Sequence, residues 1–174
     1  MQVISDVNGI VYEKLIKYAS KKCDAVMFVF SKVAFRDKQL LLLEDTKNKV
    51  KRQLKKSLLK VREGDHWVFT GRSYYLPGDA TDATEIQFYK FDDTLINFLL
   101  TNKNLYNWLN PNYPEDVAFF KDGYCWLYSV AHEDICDIYC TDETEYETLK
   151  EIGIKFYENK FQQTPKEQLY FEQY

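Results

Sequence analysis

Residues 116–132, "DVAFFKDGYCWLYSVAH", constrain the fold more than any other stretch of this chain. An apolar run, a Lys-Asp-Gly reversal and a second run rich in aromatic residues make a hairpin signal, because Asp-Gly suits the two positive-φ positions of a tight turn between strands. The following "DICDIYC" alternates Ile135, Asp137 and Tyr139 against Cys136, Ile138 and Cys140, which reads as one more strand. Three strands in succession commit this part of the chain to an antiparallel sheet.

The remaining segments supply helices to cover such a sheet. Residues 6–22 place Val7, Ile10, Val11, Leu15 and Tyr18 at helical spacing, with lysines at the end where the helix dipole favours them. "DAVMFVFSK" reads as a buried strand, and "QLLLLED" over 37–45 reads equally as a strand or a helix start. Val50, Leu54, Leu58 and Val61 form an apolar stripe that predicts one helix over 47–62, stopped by Gly64. "HWVFTGRSYY" and "EIQFYKF" read as strands separated by the loop "LPGDATDAT". A short helix is expected over 92–102, a helical turn over 104–111, and a last helix over 141–159 that starts at Thr141 or Asp142. The order predicts an α+β fold: one domain over residues 1–174, mainly antiparallel sheet, with helices packed on one face.

Charge is divided along the chain. Residues 1–75 hold 16 Lys and Arg against 8 Asp and Glu, a net of +8, and residues 76–174 hold 7 against 19, a net of −12. Either the halves attract each other or one face meets a charged partner, and a second copy of the chain is one such partner. Aromatic residues reach 17%, which fits both a contact surface and an AT-rich coding sequence. No apolar run approaches the ~18 residues that cross a bilayer, and "MQVISDVNG" lacks a signal-peptide pattern. The expected compartment is the cytoplasm, with Cys23, Cys125, Cys136 and Cys140 reduced. No Gly-rich phosphate loop occurs, and no cofactor is expected.

Residues 105–146 resemble a group of small bacterial proteins often labelled "stage III sporulation protein AH". The resemblance rests on Leu105, Tyr106, Trp108, Leu109, Pro114, Glu115, Asp116, Asp122, Gly123, Trp126, Leu127, His132 and Glu133, with Tyr113 where the group carries Leu. It implies a family and a strand register, and it brings no activity with it.

Several residues invite chemistry. His132, Cys136 and Cys140 are four apart, but zinc sites use Cys pairs with two or four residues between them, so no metal is expected. His132 and Glu133 are the catalytic candidates, a base with an acid beside it at a strand end. Ser129 lacks the strained Gly-flanked turn of a nucleophile, and His66 stands at another strand start. Asp79 or Asp82 with Glu85 and Gln87 loosely matches a metal-dependent nuclease pattern. Lys47, Lys51 and Lys55 form one row on the expected helix, and Arg52, Lys56 and Lys60 a second; together they are the candidate grip on nucleic acid.

No catalytic constellation stands out, so the expectation is a non-enzymatic protein-binding factor, an inhibitor of the immunity or phage anti-defence type. Its expected contact residues are Asp142, Glu143, Glu145 and Glu147 at the acidic helix start, with Tyr139 and Tyr146 as aromatic anchors. Nucleic-acid or nucleotide binding through the basic helix is the alternative, and a hydrolase centred on His132 and Glu133 the third.

Overall fold

Ala25–Ser31 (β1) is buried from Ala25 to Phe30, which is what its unbroken apolar run anticipates, and it occupies the middle of the sheet. The computed structural model describes residues 1–32, 37–64 and 84–163. Around β1 the described elements are α1 (Gly9–Lys22), α2 (Asp37–Gln53), β2 (Leu58–Gly64), β3 (Thr84–Lys90), α3 (Asp93–Leu99), β4 (Glu115–Lys121), β5 (Tyr124–Val130), β6 (Ile135–Ile138) and α4 (Glu143–Ile152). Short 3₁₀ turns occupy Leu105–Asn107 and Ala131–Glu133. The six strands run in the order β2-β3-β1-β4-β5-β6, each pair antiparallel. The α+β class expected from the sequence is the one observed.

All four helices contribute to one core on one face. Tyr12, Leu15 and Ile16 of α1, Val50 of α2, Leu95 and Leu99 of α3, and Leu149 of α4 pack against Val26, Phe28, Tyr89, Val117 and Phe119 of the sheet. At its centre Trp108 stacks on Phe28 at 5.3 Å and donates its indole N–H to the Tyr12 hydroxyl at 3.1 Å. That hydroxyl in turn donates to the Leu99 carbonyl at 3.0 Å, so two buried polar groups are satisfied by each other and by the end of α3. On the opposite face Met27, Val29, Ile86, Phe88, Ala118 and Phe120 form a second buried cluster.

The hairpin is as its residues predict. Asp122 and Gly123 both take positive φ, 51° and 80°, and Asp24 accepts the Asp122 N–H at 2.7 Å. Lys121 therefore lies opposite Tyr124. A bulge follows, since Phe120 faces Cys125 while Phe119 faces Leu127; Trp126 is the extra residue, and Trp126 and Leu127 both join the helix-side core. Gly123→Ala should cost about 1–2 kcal/mol, the usual strain of a side chain in the left-handed region. Equilibrium denaturation checks this, and unchanged stability would mean that another turn type is accessible.

Two expectations are corrected. The helix predicted over 47–62 is two elements: α2 ends at Gln53, the chain reverses through Leu54–Ser57, and residues 58–64 are strand β2. Gly64 accordingly ends a strand and caps no helix. The ambiguous "QLLLLED" is the first half of α2. The last helix stops at Ile152 because Gly153, at φ 114°, takes the left-handed cap position, with the Ile154 N–H donating back to Leu149. The strand expected over 66–75, the loop beyond it with Asp79 and Asp82, His66 and the tail from 164 lie outside the described residues.

The two margins of the sheet differ. Gln2 bridges Asp137, and the Val3 N–H donates to Cys136 at 2.8 Å, so the N-terminal residues extend the sheet beyond β6. On the other side β2 is the outermost strand of the described sheet.

Candidate functional site

α2 is built to expose one side. Leu43, Val50 and, just past its end, Leu54 are buried, whereas Leu40, Leu41 and Leu42 face out, Leu41 at 72% exposure. Asp45 pairs with Lys49 at 3.0 Å and Glu44 with Lys47 at 2.8 Å, the i,i+4 and i,i+3 spacings that steady a helix surface. The reversal after Gln53 is pinned by Ser57, which is buried. Its hydroxyl lies 3.0 and 2.9 Å from the two Asp92 carboxylate oxygens, and its carbonyl accepts the Lys90 N–H at 2.7 Å. Asp92 also caps α3, accepting the Leu95 N–H at 3.1 Å, so one carboxylate fixes both the turn and the next helix.

Beneath α2 lies a polar chain on β3. Glu85, Gln87 and Tyr89 alternate onto the helix side; the Tyr89 hydroxyl donates to Gln87, and the Gln87 amide donates to Glu85. Glu85 then meets Lys51 at 2.8 Å and Lys47 at 3.7 Å. Burial works to raise the Glu85 carboxyl, but the Lys51 ammonium, the Gln87 amide and Lys47 outweigh it and hold it below the usual carboxylate range. With the Lys22–Glu145 pair at 2.8 Å, these contacts join the basic and acidic halves of the sequence inside one molecule.

The surface left over is basic and apolar together. A groove of about 660 Å³ runs between α2 and β2, with Leu58 and Val61 along the strand and Asp45, Asn48, Lys51, Arg52 and Lys55 along the helix and turn. Leu41, Asp45, Asn48 and Arg52 are spaced four, three and four apart, one ridge of α2. Leu59 and Val61 are exposed at 48% and 41%. The two cation rows expected on a single helix do not form, because Lys55 and Lys56 fall on the turn and Lys60 on β2, opposite Phe88. Lys47, Lys49 and Lys51 are in ion pairs. Arg52, Lys55 and Lys56 are exposed, and none joins an ion pair among the described residues.

The His132 region is organised by Asp116, whose role the sequence does not show. Asp116, at φ 52° where β4 bulges against β1, accepts the Ala131 N–H at 2.8 Å and so sets the 3₁₀ turn that carries His132. His132 is 46% exposed, and its Nε2 stands 3.7 Å from Glu133. It borders an open groove of about 670 Å³ with Ile4, Asp6, Asn104, Tyr106 and Asp134. The nearby Ser129 hydroxyl is buried and donates to the Val117 carbonyl at 3.0 Å, which commits it to the sheet. Cys136 and Cys140 are buried while His132 reaches solvent, so the three do not converge. Burial, with the Glu145 carboxylate second, pushes the Cys140 thiol up to about 12, which keeps it protonated at neutral pH.

The acidic helix start is divided by the fold. Asp142 caps α4, accepting the Glu145 N–H at 2.9 Å, and Asp142, Glu143 and Glu147 are exposed, Glu147 beside Lys150 at 3.0 Å. Glu145 and Tyr146 are instead buried, which corrects their expected place on a contact surface. Glu145, at the third helical position, turns back to accept the N–H of Thr141, the residue before the cap, at 2.7 Å, and Tyr146 packs on Phe156 at 5.2 Å. Tyr139 is half-buried against Tyr128, with centroids 6.1 Å apart. Compared with known protein families, curated proteins and solved structures, the chain has no match.

Proposed function

We propose that this chain is a non-enzymatic protein-binding factor, an occluding inhibitor in kind, whose main contact surface is α2 with β2. The supporting observation is the coincidence of exposed Leu41, Leu59 and Val61 with Arg52, Lys55 and Lys56 on one margin of the molecule. Large apolar side chains gathered at a surface mark contact sites, and cations around them select and steer an acidic partner. Asp142, Glu143 and Glu147 are a second patch of opposite sign. Nucleic acid fits less well: among the described residues of this surface three cations are outside ion pairs and the exposed side chains beside them are aliphatic, and the chain carries a net −4.

The test is affinity capture from the native host extract with the unmodified chain, Arg52→Glu/Lys55→Glu and Leu59→Asp. A stoichiometric protein should be retained by the first, released by high salt and lost with both variants. Retention of nothing, or equal retention by all three, refutes this assignment of the surface.

A further inference from the structure

We infer that the groove between α2 and β2 receives a partner helix of about three turns, with an apolar stripe along it and acids at one end. The inference rests on the protein-binding reading above and specifies the kind of partner that surface takes. All four helices cover one face of the sheet. On that face Leu58 lies opposite Tyr89 and Val61 opposite Gln87. Tyr89 and Gln87 are 0% exposed, whereas Leu58 and Val61 are 37% and 41% exposed. An apolar sheet face is stabilised by a helix laid on it, and beside α2 that cover stops short of β2.

The wall of the groove sets the length and charge of what fits. Asp45, Asn48 and Arg52 line it from α2, and Leu41, at 72% exposure, continues their ridge. From Leu41 to Arg52 this ridge runs about 16 Å, three helical turns. A helix lying along it would meet the ridge with one flank and Leu58 and Val61 with its underside, the pattern of an amphipathic helix in a groove. Charge is uneven along the ridge. Asp45 is matched by Lys49 at 3.0 Å, while Arg52 and Lys55 are exposed and join no ion pair among the described residues. Acids are therefore favoured at the one end of the partner that meets Arg52 and Lys55.

A second copy does not supply such a helix. The acidic helix of this chain is α4, and its apolar residues Tyr146 and Leu149 are buried in its own core. Pairing two α2–β2 surfaces would set Arg52 and Lys55 of one copy near those of the other.

The experiment uses the full chain and fluorescein-labelled peptides of about fifteen residues, three turns and their ends. The first carries Leu at helical spacing and Glu in its first turn, where its own dipole favours them. The second has the same residues reordered so that no leucine stripe forms, the third a central Pro, and the fourth Lys for Glu. Anisotropy should show binding of the first, weakened by salt, and circular dichroism should show a gain of helix on mixing. The other three should bind about tenfold more weakly or not at all. Leu41→Asp, Val61→Glu and Arg52→Glu/Lys55→Glu should each weaken the first peptide about tenfold. These positions are exposed, and circular dichroism verifies that the variants fold.

Equal binding of the first peptide and of its reordered or Pro-broken form overturns helix docking. So does unchanged binding by Leu41→Asp and Val61→Glu, binding of a DNA or RNA oligonucleotide with none of the first peptide, or concentration-dependent self-association abolished by Val61→Glu. If extract capture depends on the α2–β2 surface while the peptides bind alike, the protein-binding reading survives and the helix mode falls. If neither an extract protein nor any peptide binds, both fall.

Discussion

Replacing Glu145 by alanine is expected to lower stability by about 3–5 kcal/mol, the usual result of removing one member of a buried, hydrogen-bonded charge pair. One carboxylate oxygen receives the Trp126 indole N–H at 2.8 Å and the Lys22 ammonium at 2.8 Å. The other receives the Thr141 N–H at 2.7 Å and its hydroxyl at 2.8 Å. The Tyr18 hydroxyl also donates to the first oxygen at 3.5 Å, so truncation strips the acceptor from five donors at once, of which the Trp126 indole is buried. For a chain of this size the midpoint should fall by roughly 6–20 °C. Trp126 fluorescence should change in the folded state, since its only polar atom loses its acceptor. Glu143→Ala, on the exposed neighbour, should stay within about 0.5 kcal/mol. Equal effects at 143 and 145 would contradict the assignment of Glu145 as the joint between α1, β5 and α4.

Glu85→Gln should cost about 2–3 kcal/mol at neutral pH, the range for a charge-assisted hydrogen bond lost with its ion pair. The cost should depend on pH in a defined direction. The folded Glu85 carboxyl titrates below its ordinary value, so the unfolded state binds the proton more readily. Its stabilisation is therefore fully present above the unfolded carboxylate pKa of about 4.3 and fades as pH falls through the lower folded value. Denaturant titrations of the two proteins should differ at pH 7 and converge in acid. A gap that is constant with pH would mean that Glu85 stabilises as a neutral group and that Lys47 and Lys51 do not hold α2 to the sheet through its charge.

What could be read from the residues was local. The Asp-Gly hairpin, the alternation in β6 and the Asp142 cap each rest on interactions within a few positions, and all three are present. The end of α2 was not legible, because Leu54, Leu58 and Val61 satisfy helical spacing, while the turn that splits them depends on Asp92, thirty-five residues from Ser57. The basic surface was correspondingly misdrawn: of six cations in two rows on one imagined helix, Arg52, Lys55 and Lys56 are outside ion pairs among the described residues, beside exposed aliphatic carbon. For Glu145 a signal existed, since Asp142-Glu-Thr-Glu145 has the spacing at which an acid at the third helical position folds back over the helix start, here onto the Thr141 N–H. Asp116 carried no such signal, because its role requires the bulge of β4 against β1.

The central place of β1 has a consequence for synthesis. Its partners are β3, ending at Lys90, and β4, ending at Lys121, so "AVMFVF" leaves the ribosome long before either neighbour exists. Pairings this distant form late, and an apolar, β-prone segment without Pro invites misassociation while it waits. A nascent chain that has emerged from the ribosome as far as Leu100 holds β3 but not β4, and one flank of its most apolar strand stays open to chaperones and to other nascent chains.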